Sequence, residues 1–129
     1  MKKTNKTILV IEDNADITNV IKTLLKINNI SAVFATNGKE AYALLSNMEI
    51  SLVLCDVLLP DFDGYDILKG LKNNIETKNI LFIFLTAIAD PIDIKKGLKL
   101  GADDYITKPF LAKTLLDTIH SKLNTNTTK

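Results

Sequence analysis

The sequence predicts an α/β fold: a single parallel five-stranded sheet with helices on both faces. Three observations predict it. Five short apolar runs alternate with five helical periodicities along the chain. The runs are nearly free of polar interruption, as strands buried on both faces are. Parallel neighbours, in turn, need crossover connections, which the intervening helices supply. At 129 residues the chain fits one domain long enough to bury a core, and no internal repeat, low-complexity segment or second domain interrupts it.

Ile8-Leu9-Val10-Ile11 reads as the first strand, and Ile17, Val20, Ile21, Leu24 and Leu25 recur at helical spacing behind it. Ser31 to Ala35 is a weaker strand ending at Thr36-Asn37-Gly38, followed by the helical set Ala41, Leu44 and Leu45. Leu52 to Cys55 is the third strand; after the loop from Pro60 to Gly64 come Ile67, Leu68 and Leu71. Ile80 to Leu85 is the strongest strand signal. Asp90-Pro91 then reads as an N-cap with proline at the first helical position, and that helix runs to Leu100 and stops at Gly101. Tyr105-Ile106-Thr107 is a brief last strand. Leu111, Ala112, Leu115, Leu116, Ile119 and Leu123 form the last amphipathic helix, with a polar tail, frayed, over residues 124–129.

The composition narrows the function classes. A formal net charge of +1 gives no electrostatic drive toward DNA or anionic lipid. All 16 basic residues are lysine, so no guanidinium fork is available for bidentate phosphate or base recognition. The single cysteine, Cys55, excludes an internal disulfide and fits a reducing cytosol. The start Met-Lys-Lys-Thr-Asn-Lys has no apolar stretch behind it, and no apolar run approaches membrane-spanning length. A soluble, cytoplasmic protein is the expectation.

The residues just past the strand ends carry the chemistry. Glu12-Asp13 come after the first, Asp56 after the third, Thr86 after the fourth and Lys108 after the fifth. In an open parallel sheet these positions share the carboxyl edge, where ligands bind near a switch in strand order. Three carboxylates brought together repel unless a cation joins them. Oxygen ligands without histidine or a cysteine cluster favour Mg²⁺ over Zn²⁺, and Mg²⁺ leaves room for phosphate oxygens. A carboxylate can also be a nucleophile that becomes an acyl phosphate. Lysine would then neutralise phosphoryl charge while a threonine hydroxyl donates to a phosphoryl oxygen. The set suits phosphoryl transfer to Asp56.

Four segments, I-L-V-I-E-D-N, L-V-L-C-D-V-L-L-P-D-F-D-G, F-I-F-L-T-A and G-A-D-D-Y-I-T-K-P-F, occur in order and with the spacing of one family. On them the chain resembles the two-component receiver domain, the phosphoacceptor module of bacterial response regulators (CheY-like), over Thr7 to Leu123. The resemblance implies a flavodoxin-like doubly wound (βα)5 sandwich of strand order 2-1-3-4-5, with a receiver domain over residues 1–123 and the tail beyond. It implies that Asp56 accepts a phosphoryl group from a phosphohistidine on a sensor histidine kinase or histidine phosphotransfer protein. Asp13, Asp56 and the backbone carbonyl of Leu58 would bind Mg²⁺ directly, with Glu12 acting mainly through water. Thr86 and Lys108 would contact the phosphoryl group. Tyr105 matches the aromatic switch residue that moves inward when Thr86 is drawn toward the phosphate, and the Lys108-Pro109 bond is expected to be cis. The face made by the fourth helix, fifth strand and fifth helix is where partners of such domains often dock, and the family is compatible with a phosphorylation-linked homodimer. The module is a signalling phosphoacceptor, catalysing only its own phosphorylation and dephosphorylation, with no direct nucleic-acid or membrane binding.

Three positions distinguish this chain. Glu12 stands where many receivers have aspartate, a change that preserves Mg²⁺ binding with a longer reach. Leu58 and Ile88, two residues after Asp56 and Thr86, flank the path of the attacking water in the family; both are apolar here, which predicts slow self-dephosphorylation.

Each feature also has a plain structural reading. Asp13 or Asn14 can cap the first helix, which leaves Asp56, Thr86 and Lys108 unexplained together. Asp61 and Asp63 read as loop and N-cap residues, and Asp103-Asp104 as part of the turn before the last strand. Cys55 reads as a buried strand residue, His120 as a solvated or boundary residue, and Lys95, Lys96 and Lys99 as a solvated helix face. Tyr105 fits an ordinary half-buried aromatic. Gly70 and Gly97 lower helix propensity, and Gly97 would ease motion of the fourth helix.

Two other functions compete. A Mg²⁺-dependent phosphohydrolase of the haloacid dehalogenase type places a second aspartate two residues after its nucleophile, where this chain has Leu58. A pseudo-receiver that only binds partners would not need the intact set of Asp13, Asp56, Thr86 and Lys108. No helix-turn-helix or catalytic segment follows Leu123, so the expectation is a stand-alone receiver or the first domain of a larger regulator; the kinase, pathway and output are not legible.

Overall fold

The computed structural model describes residues 6–124. The elements alternate: β1 (Thr7–Ile11), α1 (Ala15–Ile27), β2 (Ser31–Ala35), α2 (Gly38–Asn47), β3 (Leu52–Cys55), α3 (Gly64–Lys72), β4 (Leu81–Thr86), α4 (Pro91–Lys99), β5 (Asp104–Thr107) and α5 (Ala112–Asn124). All pairings are parallel and the strand order is β2-β1-β3-β4-β5, a flavodoxin-like sandwich of the expected order. Residues 1–5, most of the lysine-containing start, and 125–129, most of the polar tail, lie outside the described residues. Among the described residues no helix is long and apolar enough to cross a membrane.

Period-two alternation divides the strand side chains between two cores. Leu9, Ile11, Val53, Cys55, Phe82 and Phe84 face α2 and α3, where Ala41, Tyr65, Ile67, Leu68 and Leu71 cover them. Ile8, Val10, Leu52, Leu54, Ile83 and Leu85 face α1 and α5, meeting Ile21, Leu25, Leu115 and Ile119. The uninterrupted apolar runs are thus satisfied on both sides. At the amino edge of the sheet, Lys6 Nζ donates to the Leu123 carbonyl at 2.6 Å, joining the start of β1 to the end of α5.

Caps set the helix starts. Asn14 accepts from Ile17 N, Asn37 from Glu40 N, and Asp63 from Tyr65 N. Asp90 precedes Pro91 as expected but makes no side-chain cap bond. Gly101 adopts φ +117°, a conformation glycine takes without strain, where α4 ends.

Several boundaries differ from the sequence reading. β4 begins at Leu81, because Ile80 N donates to the Thr77 carbonyl in the preceding turn, and extends through Thr86, which pairs with Thr107. Asp104 belongs to β5, paired with Ile83, rather than to the turn. α4 stops at Lys99 with Leu100 as its C-cap, and α5 continues through Asn124. Val20 and Leu111, assigned to apolar helix stripes, are 51% and 72% exposed. Gly97 is buried against the Phe84 and Tyr105 rings, where an added Cβ would lie 3.1 Å from both, a tight contact that favours glycine.

Candidate functional site

The backbone ladder runs one residue past the strands and aligns the acids. Glu12 N donates to the Ala35 carbonyl, and Asp56 N to the Ile11 carbonyl, so both residues sit at the carboxyl edge beside one another. On the other side of β3, Lys108 N donates to the Thr86 carbonyl at 2.8 Å. Residues far apart in sequence are thereby delivered to one edge by hydrogen bonds that any side chain would make. The side-chain types supply the chemistry.

Carboxylate oxygens of Glu12, Asp13 and Asp56 lie within 4.8 Å of one another. Lys108 Nζ lies between two of them, donating to Glu12 Oε1 at 2.7 Å and to Asp56 Oδ2 at 2.8 Å. Glu12 and Asp56 are 3% and 7% exposed, whereas Asp13 is exposed. Two buried acids and a shared ammonium are the answer this site has to the cost of burying charge. Burial pushes the Glu12 carboxyl above its ordinary range, against the lowering pull of Lys108 and the Asn14 N–H. Burial also opposes the Lys108 ammonium, but the hydrogen bonds to Asp56 and Glu12 outweigh it and raise its pKa.

The remaining Asp56 oxygen, Oδ1, accepts from Leu58 N at 3.2 Å, so the loop after β3 folds back over the carboxylate. Leu58 bridges Asp63 across that loop, and its side chain is 63% exposed. Thr86 is fully buried at the end of β4; its Oγ1 accepts from Ile88 N at 3.3 Å, leaving the hydroxyl proton free to donate. Ile88 is half-buried, and its carbonyl accepts from the Tyr105 hydroxyl at 2.8 Å. Burial pushes the Tyr105 hydroxyl well above the usual phenol range, and the neighbouring Tyr65 hydroxyl adds to the shift. The Lys108-Pro109 bond is cis, as the resemblance implies.

The donor set fits a hard divalent cation. Every clustered ligand atom is a carboxylate oxygen, and the exposed Asp13 leaves a side open to solvent. Cys55 contributes nothing to such a site. It is fully buried, its thiol donates to the Asp56 carbonyl, and burial raises its pKa well above the ordinary value, as in an inert core thiol.

Of the other residues singled out, Asn14 rather than Asp13 caps α1, and Asp63 caps α3. His120 is exposed on α5. Asp103 accepts from Phe82 N at 2.8 Å, a structural role in the turn before β5. Sequence reasoning missed two residues. Asp61, read as a plain loop acid, accepts from Gly38 N and Lys39 N at the start of α2. Tyr65 carries its hydroxyl to the Asp93 carbonyl on α4. Both reach between helices whose adjacency depends on the folded arrangement, and no local signal marks them.

Comparison with known proteins agrees with this geometry. The family model for the response regulator receiver domain matches residues 8–120. The response regulator SaeR of Staphylococcus aureus (strain USA300) is 37% identical over 116 residues, which are 90% of this chain and 50% of SaeR. The chain therefore spans about half the length of the curated relatives it matches. Among solved structures, the signal receiver domain of a histidine kinase from Syntrophus aciditrophicus superposes with a TM-score of 0.87 at 32% identity, covering 96% of this chain and 94% of that one. A CheY-like receiver domain protein from Methanospirillum hungatei JF-1 gives 0.87 at 29% identity, covering 95% and 96%.

Proposed function

Because the chain belongs to the response regulator receiver domain family, whose general role is that of a phosphoacceptor signalling module, we propose that Asp56 accepts the phosphoryl group here. The donor is the phosphohistidine of a sensor histidine kinase or histidine phosphotransfer protein. An Asp56 carboxylate oxygen attacks phosphorus, the P–N bond to the donor imidazole breaks, and the electron pair leaves with that nitrogen. With its other ring nitrogen already protonated, the donor leaves as a neutral histidine, and the product is an aspartyl phosphate. The observation that carries this reading is the cluster of Glu12, Asp13 and Asp56 carboxylates with Lys108 bridging two of them.

Glu12, Asp13, Asp56 and the Leu58 carbonyl would hold Mg²⁺, Glu12 mainly through water. When bound, Mg²⁺ supplies charge neutralisation for the phosphoryl oxygens. Lys108, already ionised and aimed at Asp56, offers its ammonium to the transferred group. The Thr86 hydroxyl, whose proton is uncommitted, donates to a phosphoryl oxygen. Drawing Thr86 toward phosphate shifts Ile88, whose N–H it holds, and Ile88's carbonyl is the partner of Tyr105. Tyr105 thereby reads the state of Thr86, and the face formed by α4, β5 and α5 presents it to a partner, an output domain or a second copy of the chain. Leu58 and Ile88 set the lifetime by excluding water.

The test is incubation with Mg²⁺ and acetyl phosphate or phosphoramidate, followed by intact mass. The reading requires gain of one phosphoryl group, abolished by Asp56→Asn. Multiple turnover of small phosphate esters would instead indicate a phosphohydrolase, and an unmodified protein a binding-only domain.

A further inference from the structure

Among the helices, α4 is the least anchored. Gly97 is its one buried residue, Ile92 and Leu98 are 76% and 43% exposed, and Asp90 makes no side-chain cap bond. Side chains from other elements therefore decide how firmly it sits. Tyr105, from β5, holds the Ile88 carbonyl just ahead of it. The second comes from α3: the Tyr65 hydroxyl donates to the Asp93 carbonyl in the first turn of α4 at 3.3 Å. One turn on, the Lys96 ammonium lies 4.4 Å above the Tyr65 ring. Positions 93 and 96 share a helix face, so one side chain grips α4 twice.

Tyr65 also has a direct mechanical link to the acid cluster. It follows Gly64, where an added Cβ would lie 2.4 Å from the Asp56 carbonyl oxygen and 2.8 Å from the Val57 Cα. Gly64 N donates to the Val57 carbonyl at 2.7 Å. The backbone of Asp56 is thus packed directly against the start of α3. On the α3 side of the sheet the Tyr65 ring contacts Phe84, and Phe84 contacts Tyr105, with centroids 5.2 and 5.5 Å apart.

We infer that Tyr65 is a positioning residue that ties α4 to the segment bearing Asp56, a second connection beside the one through Thr86 and Tyr105. Its regulatory meaning rests on the phosphoacceptor reading; the tether itself does not. While Tyr65 holds Asp93 and Lys96, moving α4 requires breaking both contacts, so the tether favours the arrangement seen here, with the Tyr105 hydroxyl on the Ile88 carbonyl. Coupling is reciprocal, so a protein with a freer α4 binds a phosphoryl mimic with altered affinity.

Amide hydrogen exchange on wild type, Tyr65→Phe, Lys96→Met and the control Tyr42→Phe tests this, together with titration of beryllofluoride in excess Mg²⁺. Tyr65→Phe keeps the ring and removes the hydroxyl. The expected result is exchange faster by roughly three- to tenfold in α4, with β3 and α1 unchanged, and beryllofluoride affinity changed by a similar factor. Lys96→Met should move both readouts in the same direction, and Tyr42→Phe neither. Unchanged α4 exchange, or acceleration spread evenly over the domain, overturns the tether. Faster α4 exchange with unaltered beryllofluoride affinity overturns the coupling. Phosphoramidate labelling of the same wild-type preparation separates the premises: no label on Asp56 sinks the phosphoacceptor reading and the coupling with it, while exchange in the free protein still decides the tether.

Discussion

Gly64 sits so close to the main-chain carbonyl of Asp56 that a methyl group placed on it would lie 2.4 Å from that oxygen. Backbone, not a flexible side chain, occupies the space, so nothing nearby can yield cheaply. Gly64→Ala should lower unfolding stability by about 1–3 kcal/mol and, by displacing the Asp56 carbonyl, weaken Mg²⁺ binding as well. Urea denaturation and a metal titration check the two effects. A variant with wild-type values in both would show that the contact is looser than its geometry.

Lys108 is the cation shared by Glu12 and Asp56, within hydrogen-bond distance of both. Lys108→Met leaves two buried carboxylates facing each other and should destabilise the protein by about 3 kcal/mol at neutral pH. Added Mg²⁺ should restore more stability to this variant than to wild type, since the cation then relieves a repulsion that Lys108 otherwise neutralises. Urea midpoints with and without Mg²⁺ measure it; equal Mg²⁺ effects in the two proteins would contradict the assignment of the site.

On the phosphoacceptor reading, Leu58 and Ile88 place apolar side chains where a water would need orienting. Leu58→Asn with Ile88→Glu should speed loss of the phosphoryl group by about tenfold or more, the low end of what a positioned acid or base supplies. The decay of the labelled species by intact mass gives the rate. The proposal for these two residues fails if the double variant decays no faster than wild type.

Asp61 predicts an acid-dependent contribution to stability. Burial opposes its ionisation, but the N–H groups of Gly38, Lys39 and Phe62 outweigh that and hold its pKa below the ordinary value. A carboxylate whose folded pKa is depressed stabilises the fold above its unfolded pKa, and that contribution is lost as pH falls toward the folded value. The urea midpoint should therefore drop between about pH 5 and pH 3 by more in wild type than in Asp61→Asn. Parallel pH profiles would count against the role assigned to Asp61.

Reading the residues alone reached a good part of this molecule, for identifiable reasons. Apolar runs such as Leu52 to Cys55 are strands because both faces are covered, and strand ends in a parallel sheet share an edge; the convergence of Glu12, Asp13, Asp56 and Lys108 followed from that geometry. Strand order and the cis bond before Pro109 came from family resemblance, since no local energy term specifies which strand lies beside which. Boundaries moved by a residue where turns competed, as Ile80 shows by bonding to Thr77. The Asp61 clasp on α2 and the Tyr65 grip on α4 were out of reach because each joins residues more than twenty positions apart.

The hydrogen bond from Lys6 to the Leu123 carbonyl brings the two ends of the described chain together at the edge opposite the acids. A short peptide bridge there would close the backbone into a ring, and new ends opened between α3 and β4 would give a circular permutant with every strand pairing preserved. Such a protein would keep Asp56 and its neighbours in place while relocating the points at which another domain is fused.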